Sequence, residues 1–170
     1  MEWHTPVRLQ TATRTYESTY GLWRNSEIVR SMEHLDEVIP LLDVVADREM
    51  DRILEYLAGD AQEPIVAISR PLVRGPLADS GIPAWAEAYI AAVPKDEFEA
   101  LMSAAMYLGI HMLFMLGAAY RAWTLKMGVQ PLPEVPVMDA EQEAAWKAEH
   151  SYAWDHVVTT PFANPFLERS

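Results

Sequence analysis

Cysteine is absent from all 170 residues. Its absence rules out disulfides, thiolate nucleophiles and cysteine-ligated zinc, and leaves the redox compartment open. Basic residues are few. Thirteen Lys and Arg stand against 25 Asp and Glu, giving a formal charge of -12 and a pI near 4.7. A surface of that sign repels phosphate, so neither nucleic acid nor an anionic membrane is an expected partner. Basic proteins or basic grooves suit it better. Glycine is also sparse, and none of the seven builds a Walker loop or a GxGxxG turn. No nucleophile elbow occurs. The five histidines (His4, His34, His111, His150 and His156) form no His-x-x-x-His pair. His150 and His156 fall on different faces of a helix. Glu149, His150 and Asp155 carry the residue types of a metal site, but a solvated helix face is the plainer reading. The carboxylates are scattered, with no acid/base pair standing out. No enzyme, metal or cofactor is expected.

Half of the chain, 51%, is hydrophobic, enough for one compact domain with a substantial core. Met1 to Gln10 lack a basic stretch followed by an apolar run, so no secretory signal is expected. Ala100 to Tyr120 contain no charged residue, about the span of a membrane helix. Gly109 beside His111 and the missing polybasic flank argue instead for two helices that meet near Gly109. No membrane span is expected.

Along the chain, Val7 to Ala12 alternate apolar and polar residues, the period of a half-buried strand, and Thr15 to Thr19 repeat the pattern as a hairpin partner. Asn25-Ser26 precede Ile28, Val29 and Met32 at helical spacing. Val38 to Val44 form a short β-branched run that Pro40 restricts to an edge or irregular strand. Asp47 is expected to cap a helix carrying Met50, Ile53, Leu54 and Leu57, with Gly59 as its stop. Asp60 to Gly81 read as a loop with a short strand at Ile65 to Ile68. Three helices follow: Ile82 to Val93, a second opened by Pro94 and Asp96, and Ile110 to Met127. Pro131, Pro133 and Pro136 keep Gln130 to Val137 out of regular helix. A last helix is expected over Ala140 to Val157, then an irregular tail.

Ile110 to Met127 is the informative segment. One apolar stripe is Ile110, Leu113, Phe114 and Gly117, and a second is Met112, Leu116, Ala119, Trp123 and Met127. A helix that is apolar all round must be covered all round. Periodicity leaves two covers equally open: the C-terminal helix, through Ala145, Ala148 and Tyr152, or a partner's helix. Met106, Met112, Met115 and Met127 cluster nearby, and methionine suits surfaces that accept variable partners.

Several local words, in order, resemble the S-phase kinase-associated protein adaptors, which link F-box proteins to cullin in ubiquitin ligases. Val7-Arg-Leu-Gln10 is similar to that family's opening strand, and Val38 to Val44 to its third. Ile53-Leu-Glu-Tyr56 lies in the matching helix. Ile82-Pro-Ala-Trp85 is similar to its Ile-Pro-x-Trp. Phe98 to Ile110 resemble its most recognisable segment, and Glu143 to Tyr152 its final helix.

The resemblance implies an α/β fold: a BTB/POZ-type core, a small three-stranded sheet flanked by helices, with a helical C-terminal extension. It implies a core over residues 1–128, a partner-binding extension over 129–157 and an irregular tail over 158–170. It also implies a non-enzymatic adaptor in the cytoplasm, the nucleus or both. Met102, Phe114, Ala118, Leu125, Trp146 and Tyr152 would face an F-box protein, and Met106 and Tyr107 would face a cullin. The alternative is a divergent decoy, or a self-associating BTB-type module, that binds only one of these partners. The chain departs from the family in three places. Met106 replaces an asparagine, the Pro64 to Gly81 loop is apolar rather than acidic, and Gln130 to Val137 replace a short helix. The tail, with Phe162, Phe166 and Leu167, is expected to fold back as a plug for the partner groove.

Overall fold

The computed structural model describes residues 2–32, 37–42, 44–73, 75–126, 144–145 and 162–163. Alternation along β1 (Pro6–Thr11) buries Val7, Leu9 and Thr11 and turns Arg8 and Gln10 outward. β2 (Thr15–Thr19) pairs antiparallel with it, Leu9 opposite Tyr16. The turn is closed by Thr11, whose N–H donates to the Arg14 carbonyl and whose hydroxyl oxygen accepts from the Arg14 N–H. β3 (Val38–Leu42) runs parallel to β1 on its other side, so the sheet order is β2-β1-β3. Pro40 therefore lies on an edge strand, where a missing N–H is tolerated.

Between β2 and β3 lie two short helices, α1 (Tyr20–Trp23) and α2 (Glu27–Ser31). Ser26 caps α2 by accepting from the Val29 N–H. After β3, α3 (Asp47–Gln62) presents Met50, Ile53, Tyr56 and Leu57 to the core. Burial of each such side chain is worth roughly 1.5–3 kcal/mol.

Two expectations for α3 need correction. Asp47 is its first residue, not its cap, which is Ala46. The Asp47 carboxylate instead accepts from the Thr11 and Thr13 hydroxyls and ties the hairpin to the helix start. Gly59 does not stop α3, which runs on to Gln62. A Cβ there would come 2.5 Å from the Trp85 ring, so this glycine serves a close approach. Trp85 lies across it and donates from Nε1 to the Glu63 carbonyl at 2.9 Å.

β4 (Ala67–Ile68) and a 3-10 turn (Leu77–Ser80) follow, then α4 (Ala84–Ala91), α5 (Lys95–Tyr107) and α6 (His111–Lys126). The uncharged run from Ala100 thus breaks into two helices, and no helix among the described residues is long and apolar enough to cross a membrane. The expected C-terminal helix lies mostly outside the described residues, of which Ala144 and Ala145 are helical. The tail is not wholly irregular: β5 (Phe162–Ala163) pairs antiparallel with β4.

Candidate partner-binding surface

The sharp corner between α5 and α6 follows from one glycine. Gly109 has φ of +66°, and the Ile110 and Gly109 N–H groups return to the carbonyls of Ala105 and Met106. This is a Schellman ending, and the positive φ favours glycine. A Cβ there would also meet the Cβ of Glu27 at 2.6 Å. The start of α2 is pressed against the corner. Ser26 Oγ donates to the Leu108 carbonyl at 2.6 Å, the Glu27 N–H reaches the Gly109 carbonyl, and His111 Nε2 lies 3.0 Å from Glu27 Oε1.

With Ala104, Ala105 and Leu108 buried, Met106 and Tyr107 are turned outward, 60% and 42% exposed. Both were singled out from the sequence, and they stand side by side on this corner.

On α6, Phe114 and Leu125 are half-buried and Ala118 is exposed, as is Ala122. Their helical spacing places them on one stripe. Met102, expected beside them, is buried instead. Its sulfur fills the space over Gly117, where a Cβ would lie 2.1 Å from Sδ. It joins α5 to α6 rather than lining an open surface. Trp146 and Tyr152 lie outside the described residues.

Sequence reasoning missed what covers the opposite flank of α6. Trp123 Nε1 donates to the Gly75 carbonyl at 2.8 Å and Lys126 Nζ to the Leu72 carbonyl at 2.9 Å, while Arg70 Nη2 approaches Met115 Sδ at 3.3 Å. The proline- and glycine-rich loop is thus latched along the helix. Trp123 was legible as apolar; its indole N–H, which needs a partner when buried, was the overlooked signal.

A cleft of about 300 Å³ opens between the end of α4, the start of α5 and the second half of α6. Val93, Phe98 and Tyr120 give it apolar walls, and Lys95, Glu99 and Arg121 line it as well. Arg121 pairs with Glu99 and lies over the Phe98 ring. Among the described residues no cluster of His, Asp or Glu could hold a metal ion. In comparisons with known proteins, no family model and no curated protein matches the chain.

Proposed function

We propose that this chain is a non-enzymatic adaptor with a BTB/POZ-type core, similar to the S-phase kinase-associated adaptors that join F-box proteins to cullin. The observation that carries the reading is the α5–α6 corner, where two large side chains, Met106 and Tyr107, are held in solvent by a buried network behind them. Exposed aromatic and methionine side chains on a rigid support are typical anchors of a protein contact. The element order also supports it: a hairpin, short helices, a parallel edge strand, a long helix and then a helical half.

In this reading the corner meets the cullin. Phe114, Ala118 and Leu125, with Trp146 and Tyr152 of the extension, meet the F-box protein. The adaptor acts by geometry alone, holding two partners at fixed separation. No proton or group transfer is asked of it.

Affinity purification followed by mass spectrometry tests this. The full chain is expected to bring down both an F-box protein and a cullin. Recovery of only one of them, or of only further copies of the chain, would favour the decoy or self-associating module.

A further inference from the structure

The methionines of the described residues divide by exposure. Met50, Met102 and Met112 are buried, and Met32 and Met115 pack against the core, with Arg70 Nη2 against the Met115 sulfur. Met106 alone among them is turned into solvent. Its position is fixed by the backbone. α5 buries Ala104, Ala105 and Leu108 on its inner side, and the Gly109 N–H returns to the Met106 carbonyl at 3.1 Å, so the side chain leaves a closed helix end outward.

Oxidation of methionine follows the access of the oxidant to sulfur. Hydrogen peroxide is small and neutral, so a chain of formal charge -12 does not repel it as it repels an anionic oxidant. One oxygen passes from peroxide to Met106 Sδ. The O–O bond breaks and an S–O bond forms; sulfur is oxidised by two electrons and the peroxide is reduced to water. The sulfoxide is polar and chiral where the thioether was apolar and adaptable, which spoils an apolar contact. The fold is spared, because Met106 is not among the residues that form the core or pack against it.

We propose that Met106 is a site of oxidation by peroxide, and that its sulfoxide weakens the contact made by the α5–α6 corner without unfolding the chain. The weakened contact rests on the adaptor reading; the selectivity of oxidation does not. A partner seated on the corner would cover the sulfur, so the free chain is the form that reacts.

Hydrogen peroxide is itself the probe. In a time course on the full chain read by peptide mass mapping, Met106 is expected to gain an oxygen severalfold faster than Met32, Met50, Met102, Met112 or Met115, with no change in the thermal melt at that stage. Equal rates, or a melt that falls as Met106 reacts, would overturn the proposal. A pulldown then compares each chain with its own untreated sample. Oxidation of the unsubstituted chain should lower cullin recovery severalfold and leave F-box recovery unchanged, whereas treatment of a Met106→Leu chain should alter neither. Undiminished cullin recovery from the oxidised chain, or an equal fractional loss from the Met106→Leu chain, would overturn the effect on the contact. Cullin missing from the untreated, unsubstituted chain would overturn the adaptor reading and this effect with it, while the mass map would still decide the oxidation site.

Discussion

Asp47 and Asp60 lie on the same helix and are shifted in opposite directions. Hydroxyl donation from Thr11, then Thr13, holds the Asp47 carboxyl below its ordinary range. Its contribution to stability is present above the unfolded-state pKa and is lost as pH falls through the folded one. Burial raises Asp60, although the Ile65 N–H and the Asn25 amide both donate to its carboxylate. Its folded pKa lies above the unfolded one, so its contribution is full at low pH and is lost as pH rises through the folded value. Asp60→Asn removes the ionisation that burial opposes. The new amide keeps an acceptor for Ile65, and its NH2 can meet Asn25 Oδ1, which is buried with no hydrogen-bond partner among the described residues, once the Asn25 amide turns over. The substitution is expected to raise the urea midpoint at pH 7 relative to its effect at pH 3. Equal changes at both pH values would contradict this origin of the Asp60 shift.

Tyr56 allows a simpler test at the same scale. Its ring packs against Trp85 and Tyr89, but its hydroxyl is buried with no hydrogen-bond partner among the described residues. A buried, unpaired hydroxyl costs roughly 1–3 kcal/mol. Tyr56→Phe keeps the ring and should leave the protein as stable or more stable by thermal melting. A clear loss would mean that the hydroxyl has a partner.

At the scale of elements, β1, β2, α5 and α6 were legible because each carries an unbroken period. Val7, Leu9 and Thr11 alternate, and Leu101, Ala105 and Leu108 recur at helical spacing on the buried side of α5. The misreadings fell where one residue type has two uses. Gly59 looks like a stop but clears space for Trp85, and local sequence holds no sign of a contact 26 positions away. Asp47 looks like a cap, yet its partners belong to the hairpin. Gly109 was legible as a break, and its positive φ explains why. Gly109→Ala should destabilise by about 1–2 kcal/mol from the left-handed backbone alone. The clash with Glu27 adds to that. The loss is measurable by urea unfolding, and an unchanged midpoint would show that the corner is not held as described. Gly59→Ala should cost about 1–3 kcal/mol through overpacking against Trp85.

For the molecule as a whole, a mixed α/β unit with a three-stranded sheet and several helices follows from the order of periodic segments. The candidate surface was legible only in part. Met106 and Tyr107 reach solvent because Gly109 ends α5 just beyond them, and that glycine is visible in the sequence. Met102 could not be separated from Phe114 by periodicity, since both are apolar helical residues and only the pairing with Gly117 decides which is enclosed. The latch of Trp123 and Lys126 onto the 70–75 loop depends on long-range main-chain acceptors that no local pattern encodes. The tail is expected to plug the partner groove through Phe162, Phe166 and Leu167; Phe162–Ala163 pairs with β4 instead, and Phe166 and Leu167 lie outside the described residues.

The adaptor account rests on two separate surfaces, so the most direct test disables one and leaves the other. A full chain carrying Met106→Lys with Tyr107→Lys places two cations on the exposed corner without touching its buried support. Both side chains already reach solvent, so the circular dichroism spectrum should be unchanged. In a pulldown measured side by side with the unsubstituted chain, cullin recovery should fall to background while F-box recovery is retained. Cullin recovery that survives the double substitution in a folded chain would contradict the assignment of the corner and the adaptor reading that depends on it.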